Sequence, residues 1–169
     1  RRQNCILQVG HVERFNPALV AAMPYLGEPK YIDAVRVSGY PFRSTDIGAV
    51  LDIMIHDLDV VLSLVRSPVK CVDAMGISVL GQQEAAANAG VTFANGGVAL
   101  FTASRASYKV ERTMQVWTTR GFAAIDFAAR DVIVVEPNEQ ILRRRFDMSR
   151  LGPDECLRLK EHLFEDLLV

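Results

Sequence analysis

A carboxylate and an imidazole four residues apart on a helix can meet side by side, and Asp52 and His56 have that spacing in the stretch Asp52-Ile53-Met54-Ile55-His56-Asp57-Leu58-Asp59. At about 100° per residue, Asp52, His56, Asp59 and Ser63 share one narrow arc, and nearly every other residue from Leu51 to Val65 is apolar. A polar stripe is thus set into a greasy helix. Asp52 is placed to hold one ring nitrogen of His56 and leave the other free for proton transfer. The alternative is structural: Asp52 and Asp57 lie near the helix start, where the macrodipole favours negative charge, and His56 is then a hydrogen-bonded interior histidine. A metal site built from Asp52, His56 and Asp57 or Asp59 is disfavoured, because Asp57 points about 100° away from His56 and no second histidine follows at helical spacing.

The chain that must position this helix has 169 residues, enough for one domain with a real core. Half the residues are apolar and 23% are charged, the balance of a folded chain and not of a disordered one. A net charge of −1 argues against a general nucleic-acid or membrane-surface binder, since no basic excess exists to release counterions. Cys5, Cys71 and Cys156 are far apart and form no C-x-x-C pair, so reduced thiols in a cytosol are the simplest account. No uninterrupted apolar run reaches membrane-spanning length, and Arg1-Arg2 is followed by too short an apolar stretch for a signal peptide. A soluble cytoplasmic protein is the expectation.

In chain order, Cys5 to Val9 reads as a short buried strand ended by Gly10. Asn16 can cap, and Pro17 can open, a helix running through Leu19, Val20 and Met23. Lys30 to Ser38 alternates as a strand with one wet face, and the loop Gly39 to Gly48 leads into the central helix. Beyond Ser67-Pro68 the character changes to strand after strand: Val69 to Leu80, Ala87 to Ala94, and, past a hairpin signal at Asn95-Gly96, Gly97 to Ser104. Glu111 to Thr119, Gly121 to Phe127, Asp131 to Glu136 and Gln140 to Phe146 follow. Pro153 then opens an amphipathic closing helix with Leu157, Leu159, Leu163, Phe164 and Leu167 on its apolar side.

Short connections between successive strands imply antiparallel pairing. The predicted fold is α+β: a large, mostly antiparallel open sheet with helices, the central one included, on one face. Val98, Ala99, Leu100 and Phe101 are apolar at both parities, so the second face is expected to be covered as well, either by sheet-to-sheet dimerisation or by a layer of the same chain.

Three segments together resemble one family: Gly10-His11-Val12-Glu13-Arg14-Phe15-Asn16-Pro17, the helix from Leu51 to Asp59, and Phe93-Ala94-Asn95-Gly96-Gly97-Val98-Ala99 followed by Ala103-Ser104-Arg105. It is the NAD(P)-dependent glucose-fructose oxidoreductase, inositol dehydrogenase and rhizopine-catabolism family. The similarity runs in order over almost the whole chain but covers only the family's C-terminal portion. Family members also carry an N-terminal Rossmann domain with a glycine-rich dinucleotide loop, and a Glu-Lys-Pro segment whose lysine assists catalysis. No G-x-G-x-x-G occurs here, and Lys30 follows Pro29 in the wrong order. The resemblance therefore implies a single substrate-binding and oligomerising domain over residues 1–169. Residues 1–10 would adjoin a Rossmann domain that is not in this sequence, and the chain would hold half of an active site.

Residue by residue, the resemblance assigns His56 as the group that takes the proton from a substrate hydroxyl as hydride leaves for the nicotinamide, or returns it in reduction. Asp52 orients that histidine and touches the substrate. Arg14 and Asn16 border the cleft, with an ion pair and a helix cap as their structural alternatives. Arg43, in the pre-helix loop, is a candidate for a phosphate or carboxylate, or a solvated loop arginine. Arg105 and Tyr108 are candidates to line a sugar pocket from the sheet side. His11 and His162 read as structural or exposed, and Trp117 as core. The implied substrate is a sugar, cyclitol or nucleotide-sugar, the cofactor NAD or NADP held mainly by the other domain, and the assembly a homodimer or homotetramer through the sheet face. A cofactor-free sugar sensor or dimerisation scaffold is the competing function.

Overall fold

The computed structural model describes residues 5, 6, 8–40, 42, 46–79, 81–137 and 164–168. A 3-10 turn, Val12–Phe15, precedes helix α1, Pro17–Ala22, and strand β1, Pro29–Val37. A π-turn, Val50–Met54, then runs directly into α2, Ile55–Leu64. After it come β2 (Val69–Ile77), β3 (Ala86–Phe93), β4 (Val98–Ser104), β5 (Glu111–Thr118), β6 (Gly121–Asp126), β7 (Asp131–Pro137) and β8 (Phe164–Leu168). All eight strands form one open sheet in the order β2-β3-β4-β1-β5-β6-β7-β8. Every pairing is antiparallel except β1 with β4, where β1 is inserted between two hairpin-linked halves. The α+β reading, with its mostly antiparallel sheet, stands.

Period-two alternation decides which face the helices cover. Ile32 and Ala34 of β1, Ala99 and Phe101 of β4, Met114 and Val116 of β5, Ile125 of β6 and Val132 of β7 are all buried on the same side. Leu19 and Ala22 of α1, and Val60 and Val61 of α2, close over them. Asn16 begins α1 as expected, its side chain accepting from the Ala18 N–H at 3.1 Å with Pro17 in the first turn. The Asn95-Gly96 signal sits in the β3–β4 turn, where Gly96 takes φ +84°, a conformation that a Cβ disfavours.

Of the two expected ways of covering the opposite face, a layer of the same chain is not found among the described residues. Among the described residues no helix lies on it, and Leu100 and Ile133 stay about two-fifths exposed. Trp117, expected in the core, instead stands half-buried on this face, between Tyr31 and Phe122 at 5.0 Å ring separations. Its position in β5 has the parity opposite to the buried Met114 and Val116. The outer strand β2 is exposed along its whole length.

Three further expectations need correction. The strand expected over Cys5 to Val9 is not seen among the described residues of that range: Cys5, Ile6, Gln8 and Val9 are exposed and pair with no strand of the sheet. The closing helix does not extend over residues 164–168, which form β8, antiparallel to β7 with Val134 opposite Leu167. The open edge of β7 offers a row of unpaired backbone groups, and strand pairing there overrides the helical periodicity. Third, the central helix is not α-helical from its start. The Ile55 N–H reaches back five residues to Val50 O, so the turn carrying Asp52 holds one extra residue. The predicted strand at Gln140 to Phe146 and the earlier part of the closing helix, with His162 and Cys156, lie outside the described residues.

Candidate active site

The segment leading into the π-turn is pinned from the sheet. The Ala49 N–H donates to Glu84 O at 2.9 Å and the Val50 N–H to Glu84 Oε1 at 3.2 Å, so two donors of the helix start are satisfied from outside the helix. The carboxylate of Glu84 lies where a Cβ on Gly48 would stand, which makes glycine the residue that lets the two segments close. Arg105, just past β4, donates from Nη2 to Ile47 O at 2.7 Å and from Nη1 to Asp52 Oδ2 at 3.2 Å. These bonds fix where the first polar residue of the helix points.

Below this turn lies a polar cleft of about 260 Å³. It is bordered by Val12 and Glu13 of the 3-10 turn, Arg36, Val37 and Ser38 at the end of β1, Asp52, Ile53 and His56, Arg105, and Arg112 of β5. His56 therefore stands beside a cavity that a small polar molecule fits. Its Nδ1 is buried and has no hydrogen-bond partner. The Asp52–His56 bond expected from their spacing is absent: the carboxylate is bonded to Arg105, whose guanidinium is almost fully buried and needs a compensating anion.

A second ionic cluster was not foreseen. Asp57 and Arg36, each about 95% buried or more, are joined by a two-pronged contact, Nη2 to Oδ1 at 2.8 Å and Nε to Oδ2 at 3.0 Å. Arg36 Nη1 also donates to Glu13 Oε1 at 3.1 Å, and its guanidinium lies 5.7 Å from the Phe127 ring centre. Burial lifts the Asp57 carboxyl against the pull of Arg36. Burial would also discharge Arg36, but its hydrogen bonds and charge contacts with Asp57 and Glu13 lift the guanidinium above its ordinary value. The signal for this cluster was in the sequence. Arg36 occupies the buried parity of β1, and Asp57 breaks the apolar side of α2.

The remaining candidates separate cleanly. Arg14 is clipped to Asp59 of α2, with Nη2 to Oδ1 at 2.6 Å, and that hydrogen bond holds the Asp59 carboxyl below its ordinary range. His11 Nε2 lies 3.8 Å from the same carboxylate. Asn16, besides capping α1, donates to Glu13 Oε2 and to Phe127 O, so its polar atoms are engaged within the fold. Arg105 borders the cleft and is almost fully buried there. Tyr108 is 94% exposed and does not line the cleft, and Arg43 lies outside the described residues.

Comparison with known proteins assigns a family to this open α+β sheet with its histidine-bearing helix beside a polar cleft. Residues 25–124 match the GFO/IDH/MocA C-terminal domain. The chain is 33% identical over 128 residues to UDP-N-acetylglucosamine 3-dehydrogenase of Acidithiobacillus ferrooxidans, covering 75% of this chain and 41% of that protein. It is 28% identical over 167 residues to the oxidoreductase YrbE of Bacillus subtilis, itself uncharacterised, covering 85% and 47%. A solved structure of the Acidithiobacillus ferrooxidans enzyme superimposes with a TM-score of 0.78 at 27% identity, over 99% of this chain and 49% of that one. Levoglucosan dehydrogenase, solved with NADH and levoglucosan, shares the fold at a TM-score of 0.72 and 17% identity, over 100% and 49%. This chain belongs to the GFO/IDH/MocA family. It spans less than half the length of the curated relatives it matches.

Proposed function

We propose that this chain is the substrate-binding half of an NAD(P)-dependent oxidoreductase acting on a hydroxyl-bearing carbon of a sugar, cyclitol or nucleotide-sugar, with His56 as the proton acceptor or donor. The observation that carries the reading is the placement of the His56 ring, one nitrogen buried and the ring bordering a polar cleft. Because Nδ1 is closed off, proton exchange with a molecule in the cleft runs through Nε2. Asp52, one turn earlier, supplies the negative charge that a positively charged imidazole requires nearby.

The nicotinamide supplies the hydride acceptor or donor when bound. Among the described residues bordering the cleft there is no glycine-rich phosphate cradle, and the dinucleotide is held mainly by the N-terminal domain that relatives of twice this length have room for. In alcohol oxidation the substrate C–H bond gives up its electron pair as hydride, and the hydroxyl proton passes to His56; in reduction both return. Glu13 and Arg112 also border the cleft and present an acceptor and hydrogen-bond donors to substrate hydroxyls. UDP-N-acetylglucosamine 3-dehydrogenase, by its name, and levoglucosan dehydrogenase, by its bound ligand, support the sugar class. No helix among the described residues is long and apolar enough to cross a membrane, and a cytoplasmic enzyme is the reading that fits the sequence. The uncovered sheet face, with its Tyr31, Trp117 and Phe122 stack, favours assembly of two or four copies through that face.

His56→Ala in the whole enzyme is the test. Turnover should fall by orders of magnitude while dinucleotide affinity stays nearly constant; unchanged turnover would overturn the assignment. The open face and the exposed strand β2 also favour a second reading, a cofactor-free sugar-binding sensor or dimerisation scaffold. Sugar binding by a stable dimer with no response to NADH or NADPH, measured by calorimetry, would favour it.

A further inference from the structure

The placement of Asp52 raises a question that the proton-transfer role of His56 leaves open: which nitrogen of the neutral ring carries the hydrogen. A neutral imidazole has one N–H donor and one bare acceptor nitrogen. Nδ1 of His56 is buried with nothing to bond to, and the carboxylate one turn away is engaged by Arg105. A buried N–H without an acceptor is among the rarest arrangements in folded proteins, rarer than an under-used acceptor. The ring therefore keeps Nδ1 bare and carries its hydrogen on Nε2, facing the cleft as a donor.

We propose that Arg105 is a positioning residue that sets the tautomer of His56 by withholding Asp52 from Nδ1, so that the ring becomes a proton acceptor at Nε2 only when Asp52 changes partner from Arg105 to His56. This rests on the reading of His56 as the proton-exchanging group. The geometry suits such an exchange. Asp52 is held by one arm of the guanidinium at 3.2 Å, whereas Ile47 O is held more tightly at 2.7 Å, so releasing the carboxylate leaves Arg105 anchored. Asp57 offers the contrast: its carboxylate is gripped through two guanidinium nitrogens and buried on every side. As a donor, Nε2–H suits a substrate carbonyl oxygen. As an acceptor, with Nδ1–H on Asp52, it suits a substrate hydroxyl. Oxidation of the alcohol therefore requires the exchange.

The other charged groups near the ring are Asp57 and Asp59 on its own helix, Glu13, Arg14 and His11 from the 3-10 segment, Arg36 on β1 and Arg112 on β5. All of these are kept in the variants that follow.

The test is the 15N chemical shift pair of the His56 ring in the whole protein, which separates the two tautomers without requiring turnover. Wild type should show Nε2–H. Arg105→Ala, which frees Asp52, should show Nδ1–H, and Asp52→Asn in the Arg105→Ala background should return the ring to Nε2–H. Arg105→Lys, which keeps a cation beside Asp52, should keep Nε2–H. If Arg105→Ala does not fold, the wild-type and Arg105→Lys spectra still decide. Nδ1–H in the wild type, or an unchanged tautomer in folded Arg105→Ala, overturns the proposal. Because the spectra need no catalysis, an active His56→Ala enzyme would refute the catalytic role while leaving the tautomer result legible.

Discussion

Two carboxylates five residues apart at the start of the same helix, Asp52 and Asp57, each meet a buried arginine that reaches in from the sheet, Arg105 and Arg36. The second pair is closed: Arg36 engages Asp57 through two nitrogens, Glu13 through a third and Phe127 through its face. The first is open, with a single bond to the carboxylate, a bare ring nitrogen nearby and a polar cleft alongside. The same chemical unit thus serves once as a rivet and once as an adjustable contact. What separates them is how many of the carboxylate's hydrogen-bonding positions are taken and whether solvent or substrate reaches the rest.

The sharpest way to break the comparison is to remove the central group of each cluster. His56→Ala should lower kcat/KM by about 10²- to 10⁴-fold, the usual contribution of a positioned acid-base group, with the denaturant midpoint little changed. Asp57→Ala should do the reverse. Leaving Arg36 buried with only Glu13 for company should cost about 3–5 kcal/mol in urea unfolding, while the surviving folded enzyme keeps most of its turnover. If Asp57→Ala abolished activity without loss of stability, the distinction between rivet and adjustable contact would fail.

Asn16→Ala sharpens the boundary of the site. Its bonds to Ala18, Glu13 and Phe127 are internal to the fold, so the substitution should cost about 1 kcal/mol through the lost cap and leave KM for the sugar unchanged. A large rise in KM would return Asn16 to the substrate contacts. The smallest effect belongs to the rim. Because Arg14 holds the Asp59 carboxyl below its ordinary value, the contribution of Asp59 is fully present above the unfolded carboxylate range and is lost as pH falls through the depressed folded value. Arg14→Ala should therefore lower stability slightly at pH 7, where that contribution is fully present, leave it unchanged near pH 2, and so flatten part of the decline between about pH 4 and pH 2, measured as urea midpoints across that range.

Much of the cleft was legible in the residue pattern because local periodicity carries it. The stripe of Asp52, His56, Asp59 and Ser63 breaks an apolar helix, and Ile32 and Ala34 share a parity that only a one-sided strand needs. The Asn16-Pro17 start and the Asn95-Gly96 turn follow from short-range backbone chemistry, and both formed where the residues indicate. Arg36 and Asp57 were also visible as polar interruptions of buried positions, although nothing local pairs residues 21 apart in sequence.

Tertiary structure decided what local rules leave open. Phe164–Leu168 reads Phe-Glu-Asp-Leu-Leu, a pattern compatible with either a helix or a strand, and the unpaired edge of β7 chose the strand. The same principle settled Asp52. Spacing alone placed it beside His56, but a buried guanidinium arriving from β4, 53 residues away, required an anion more than the imidazole did. Sequence by itself determined the family and the sheet with its covered face, and it singled out His56 as the residue proposed here for proton exchange. Which carboxylate partners which cation, and hence what state the histidine rests in, depended on long-range burial, because the cost of an unpaired buried charge exists only once distant segments have closed around it.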